Sequence, residues 1–511
     1  MTENRRQFLT KAGCALGMTA LATQMRHFGL MSAVAQRQID AVGFDAPAVP
    51  SDYRALVCIF LSGGNDGNNM VVPNHSDGTI SNYSVYSGVR ASQGLAIAQA
   101  SLLPINVPRM GNLTYGLHPS LGPQPAGTNI VNNGIHELWA QGKLAAITNV
   151  GTLVAPMTKT QYGNNSVQKP YQLFSHSDQI AQYQAGRSDT QSYSGWGGRI
   201  SDLRNATDNP SGLIPMVTSI SGAQLFTAGQ TTLPMAIADS GTALASVLQP
   251  VGFCTSPPTP CTPTGTNLTR LNTLNSLRSL DLSANYIAAA SHITDLAMQA
   301  NSALQSSQEV TTTFPNTSIG RQLKQVARLI KSRGSLGVNR QVFFVSLGGF
   351  DTHSIQVSTQ ASLLIQLGQA MRSFFDEMSA AGQPGNDKVT QFTMADFCRT
   401  FAPAGSGSSV GSDHAWANHH LIVGGGITAA DFYGINTSNG TPFPTLTLNG
   451  VDDADSGATA KGRWLPTTSV EQYAATLARW YGVPDANMAN VFPKIANFTN
   501  TNLGFMQPPA P

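Results

Sequence analysis

Ala55-Leu56-Val57-Cys58-Ile59-Phe60-Leu61 is an unbroken apolar run. A run of this length with no polar face predicts a strand buried on both sides, as in a parallel sheet. Further strands are predicted at Leu144–Val150, Gln341–Leu347 and Val389–Ala395, and a short apolar segment stands at Leu421–Val423. Ile214–Ile220 and Leu233–Ala238 also read as strands. Between the runs, apolar residues recur at helical spacing through Leu271, Leu274, Leu277 and Leu280, and through Ile319, Leu323, Val326 and Ile330. Further helices are predicted over about 358–381 and 469–481. Strands alternating with helices predict an α/β protein: a doubly wound, mostly parallel sheet flanked by helices. A helical and loop insertion over about 205–335 contains the Pro/Thr-rich stretch 250–265.

The polar residues that end these runs carry the chemistry. Asp66 follows the first strand after Gly63 and Gly64; Asp351 and His353 follow the Gln341–Leu347 strand; Asp396 and Arg399 follow Val389–Ala395. In an open α/β sheet, ligands collect beyond the carboxyl ends of the strands, so these groups are expected on one edge. The segment 411–420 then brings Asp413, His414, His419 and His420 together, placing three of the chain's 10 histidines within seven positions. Carboxylate oxygens and neutral imidazole nitrogens are ligands for zinc, manganese and iron. Ser175 precedes His176 at a loop-to-helix transition, where a hydroxyl suits either capping or nucleophilic attack. His118 and His176 read equally as groups supporting a site or as satisfied loop histidines.

Composition narrows the functional class. Among 511 residues only 11% are charged, with a formal net charge of +2. Residues 1–35 account for +3 through Arg5, Arg6, Lys11 and Arg26 against Glu3, which leaves the remainder near −1. That balance argues against a general nucleic-acid partner. Arg5-Arg6 before Phe8-Leu9 and Lys11, the weakly apolar 12–23 and the small residues Ala33-Val34-Ala35 resemble a twin-arginine (Tat) export signal. The expectation is a Tat signal over 1–35, a flexible lead-in over 36–52 and one domain over 53–505, exported by the Tat machinery to the periplasm or exterior. No other apolar run is long enough to span a bilayer. In an oxidising compartment Cys254 and Cys261 are candidates for a disulfide. Cys58 reads as a core thiol and Cys398 as a packed residue.

The motifs containing Asp66, His118, Ser175-His176, Asp351-Thr352-His353, Phe397-Cys398-Arg399-Thr400 and Asp413-His414 through His419-His420 together resemble the bacterial domain-of-unknown-function family numbered fifteen-hundred-and-one, placed in the alkaline phosphatase and sulfatase-like superfamily. The resemblance implies an alkaline-phosphatase-like fold and two divalent metal ions (zinc, manganese, calcium or magnesium). One ion would take Asp66, Asp413 and His414; the other, Asp351, His353 and one of His419 or His420. It further implies Ser175 as nucleophile and Arg399 as the holder of an anionic group. Asp351 and His353 are one residue apart, closer than the superfamily's spacing, and Cys398 stands where the family has glycine.

Two functions follow from these readings. One is an exported metal-dependent hydrolase of phosphate or sulfate esters, acting on an anionic small-molecule or glycan substrate. The other is a non-catalytic protein, stabilised by metal, that binds an anionic glycan or an envelope partner.

Overall fold

A computed structural model describes residues 52–124, 132–247, 263–278, 298–304 and 309–508. The expected export signal, nearly all of the lead-in, part of the expected insertion and the Cys254–Cys261 pair lie outside the described residues. Among the described residues no helix is long and apolar enough to cross a membrane.

Strand β1 (Arg54–Leu61) is buried at every position and pairs in parallel with β8 (Arg340–Leu347) on one side and β9 (Val389–Ala395) on the other. The register aligns the three strand ends, with Leu61 beside both Leu347 and Ala395. Beyond β8 lie β6 (Val217–Ser219) and β7 (Met235–Ala236), both parallel. Beyond β9 lie β10 (Asn418–Gly424), β5 (Leu144–Gly151), β11 (Phe432–Tyr433) and β12 (Thr468–Ser469), the last two both on β5. Among the described strands of this sheet, only β10 runs against its neighbours. The protein is therefore α/β with a mostly parallel sheet. Strands β2 (Val71–Pro73), β3 (Leu103–Val107) and β4 (Leu113–Leu117) form a separate antiparallel sheet, in the order β2-β4-β3.

The alternation of side chains along a strand explains why both faces are covered. Ala55, Val57, Ile59 and Leu61 join one core with Ile319, Leu323, Val326 and Ile330 of α3 (Ser318–Lys331) and with Leu364, Leu367 and Phe374 of α4 (Gln356–Glu377). Leu56, Cys58 and Phe60 join the other, against Tyr183 of α1 (His176–Ala185), Trp196 and Ile200 of α2 (Trp196–Asp208), and Tyr473 and Leu477 of α5 (Val470–Tyr481). Burying each large side chain contributes about 1.5–3 kcal/mol over leaving it in water. That gain accounts for the continuous apolar run of β1. Helix α5 starts at a capping box in which Ser469 Oγ accepts from Gln472 N and Gln472 returns a bond to Ser469 N.

Two strands are shorter than their apolar patterns predict. Ile214–Ile220 pairs only over Val217–Ser219, and Leu233–Ala238 only over Met235–Ala236. Pro215 and Pro234 lie in the lost portions, where each removes a ladder donor.

Candidate metal centre

Parallel strands deliver their carboxyl ends to one edge of the sheet, and the antiparallel β10 begins at that edge. Residues that follow β1, β8 and β9 therefore meet residues that precede β10. Two glycines allow the approach. A Cβ on Gly63 (φ +114°) would sit 2.3 Å from Asp351 N, and one on Gly411 2.2 Å from the backbone carbonyl of His353. A short bridge between Arg399 and His414 joins the β9 end to the β10 approach.

Three imidazoles converge on one oxygen, Asp351 Oδ1. His353 Nε2 lies 3.1 Å from it, His176 Nε2 3.4 Å and His414 Nε2 3.8 Å. The ligand atoms of His176, Asp351 and His414 all fall within 4.8 Å of one another. His353 Nε2 is also 3.1 Å from His414 Nε2, so it borders the same space without belonging to that tightest trio.

Each ring is held from behind. His414 Nδ1 donates to the carbonyl of Phe174 at 2.9 Å. A carbonyl only accepts, so the proton of the neutral ring is on Nδ1 and the Nε2 lone pair faces the cluster. Phe174 holds φ at +72°, a conformation that costs an aromatic residue energy. His176 Nδ1 meets Asp396 Oδ2 at 2.5 Å; the fully buried Asp396 also accepts from Gly63 N and Gly64 N. His353 Nδ1 faces Asp413 Oδ1 at 3.4 Å. Carboxylates and carbonyls behind ring nitrogens are the usual supports of metal-binding histidines.

The electrostatics follow from these contacts. Burial pushes the Asp351 carboxyl up, but the Arg399 guanidinium, His176 and His353 outweigh it and hold the group below the usual carboxylate range. The bond to Asp396 raises His176 against the opposing effect of burial. Burial lowers His414, which stays neutral more readily. His176 Nε2 is shielded from solvent and has no hydrogen-bond partner.

Several candidate residues make other contacts. Asp66 is buried and caps the turn Gly67–Met70 by accepting from Asn68 N; it pairs with the buried Arg90 and accepts from Gln356 Nε2 at 2.5 Å. His419 and His420 lie inside β10, on opposite faces of the sheet. His419 Nδ1 accepts from Asn149 N and its ring stacks on Phe443. The His420 ring stacks on Tyr473. Burial lowers each to about 3. Arg399 is fully buried beneath Asp351, donating Nη1 to Asp351 Oδ1 at 3.0 Å and Nη2 to the carbonyl of Ser412. It steadies a carboxylate and has no solvent face with which to grip an anion. Ser175 Oγ donates to Asp178 Oδ2 at 2.6 Å, immediately before His176. His118 is a buried cap whose Nδ1 accepts from Ser120 N. Cys58 and Cys398 are both buried, and burial pushes the Cys398 thiol up to about 12. From sequence alone His176 is ambiguous; its place at a helix start, with an acidic strand end, Asp396, elsewhere in the chain, is the available signal.

No curated protein matches the chain. Among solved structures it is similar to a protein in the alkaline phosphatase superfamily from Vibrio parahaemolyticus, at 10% identity over 81% of this chain and 72% of the other, with a TM-score of 0.25. It is also similar to a quadruple mutant of alkaline phosphatase PafA, at 11% identity over 69% of this chain and 64% of the other, with a TM-score of 0.22. The fold assignment rests on the sheet described above and not on likenesses of that size. A family model described as "Protein of unknown function (DUF1501)" matches residues 53–443. Because that model spans most of the chain, the protein belongs to the DUF1501 family.

Proposed function

We propose that this edge of the sheet is the centre of an exported, metal-dependent hydrolase of phosphate or sulfate esters. The observation that carries the reading is the shielded, partnerless Nε2 of His176. Its ring is held by Asp396, and it faces the same carboxylate oxygen as His414 Nε2. Two lone pairs and a carboxylate oxygen at this spacing, with a third imidazole at their border, are a donor set for a divalent cation. His176, Asp351, His414 and His353 would hold it.

When bound, such an ion supplies positive charge against an ester's oxygens and acidifies a nearby hydroxyl or water. The chain's own residues set the sign of the site. Asp351 supplies the one carboxylate among the donors and Arg399 opposes it from below, while Asp396 and Asp413 lie behind the rings. An ion held by these donors places its positive charge beside the half-exposed Asp351 and His353, where it meets an anionic substrate. Ser175 Oγ directs its proton at Asp178 Oδ2, which leaves its lone pairs available for attack and gives the proton a place to go. Asp351 and His353 are about half exposed, so an ester can reach the donors from solvent. Export by the Tat pathway to the periplasm or exterior is part of the same proposal and rests on the Arg5-Arg6 segment.

The test is elemental analysis of natively exported protein, with turnover of an aryl phosphate and an aryl sulfate, for wild type and His414→Ala. Bound metal and turnover of one ester, both lost in the variant, are expected. Folded protein that takes up no metal on reconstitution would overturn the centre. Metal without turnover of either ester would overturn the hydrolase and leave a metal-stabilised binding protein.

A further inference from the structure

The ligands expected for two separate ions are arranged around one position. Asp351 and His353, assigned to one ion by resemblance, and His414, assigned to the other, share the same few ångströms with His176. Of the remaining candidates, Asp413 stands behind His353 with its Oδ1 3.4 Å from His353 Nδ1, and Asp66 is occupied. Asp66 Oδ2 accepts from Gln356 and Arg90, and Oδ1 from Asn68 N at 3.1 Å and Arg90 Nη1 at 3.4 Å. Arg90 is itself wholly buried, with the rings of Tyr86 and Phe401 5.8 and 5.6 Å from its guanidinium. The carboxylate already has a positive charge inside the fold, and a second cation there would meet that guanidinium at close range. His419 and His420 point into the two cores.

We infer that the centre binds one divalent ion, because Arg90 occupies, as a built-in cation, the Asp66 carboxylate that a second ion would need. Asp66 is then a positioning residue. Gln356 Nε2 donates to Asp66, and Gln356 Oε1 accepts from Ser412 Oγ. Ser412 directly precedes Asp413 and His414 and gives its carbonyl to Arg399. The chain Arg90–Asp66–Gln356–Ser412 thus fixes the segment that carries His414, from the interior and without touching the ion.

The inference rests on the proposed metal centre, and stoichiometry separates the two. Chelator-stripped full-length protein is titrated calorimetrically with Zn²⁺ and with Mn²⁺, and the loaded protein is analysed for metal. Saturation at one ion per chain is the expected result. Two ions per chain would overturn the inference and leave the centre standing; none would remove the centre itself. Asp66→Asn adds a second readout. With its fold verified by near-UV circular dichroism, it should still bind one ion, about 10–100-fold more weakly, as for other supporting groups. Loss of all binding in the folded variant would make Asp66 a ligand and refute the assignment. The wild-type titration stands if that variant does not fold.

Discussion

Replacing Asp396 by Asn probes how the centre is aimed without removing a ligand. Asp396 is fully buried; its Oδ1 accepts from Gly63 N at 3.2 Å and Gly64 N at 2.5 Å, and its Oδ2 takes the proton side of His176 Nδ1. An Asn side chain can keep the two glycine bonds through its remaining oxygen. Its Nδ2 then faces His176 Nδ1, and two donors oppose each other. The ring regains a bond by accepting at Nδ1 and moving its proton to Nε2, the atom that faces Asp351. A protonated Nε2 has no lone pair for an ion. Restoring the useful tautomer forfeits that neutral bond and leaves buried donors unpaired, a cost of about 1–3 kcal/mol. That corresponds to a loss of metal affinity of about 5–150-fold, overlapping the scale seen for such supports. Competition of stripped protein with a chromophoric chelator for Zn²⁺ measures the affinity, and ¹⁵N spectra of labelled histidine report the tautomer. An affinity within twofold of wild type, in folded protein whose His176 proton has moved to Nε2, would refute the reasoning.

Glu471, in the first turn of α5, is fully buried, and burial, outweighing bonds from its own backbone and from Ser469, pushes it up to about 7 from 4.5. Between those values the folded chain keeps a proton that the unfolded chain releases, so stability falls as pH rises, by about 3 kcal/mol. Glu471→Met should therefore stabilise the protein by about 3 kcal/mol more at pH 8 than at pH 4.5 in urea unfolding; an equal effect at both pH values refutes the assignment. Gly411→Ala places a Cβ against the His353 backbone. It should cost about 1–3 kcal/mol in urea unfolding and weaken Zn²⁺ binding in the same preparation, and unchanged binding would show that His353 does not depend on that approach.

The apolar run of β1 and the helical spacing of α3 were legible in the sequence because burial favours apolar residues on every covered face; β5, β8 and β9 were legible as strands although each buries polar residues, among them Asn149, Gln341 and Gln391. The same logic put Asp351, Asp396 and Arg399 at one edge, since parallel strands share their carboxyl ends. The direction of β10 was not legible. Leu421–Val423 reads the same in either sense, and the antiparallel sense puts His414 at the site while drawing His419 and His420 into the sheet. Nor does sequence reveal which charges meet in space: Asp66 follows its strand much as Asp351 does, yet Arg90, 24 residues further on, claims it. The run of 511 residues by itself determined the α/β class and the kind of ligands available. Only the tertiary structure decided which of them share a centre, because strand direction and ion pairing depend on contacts between segments tens to hundreds of residues apart.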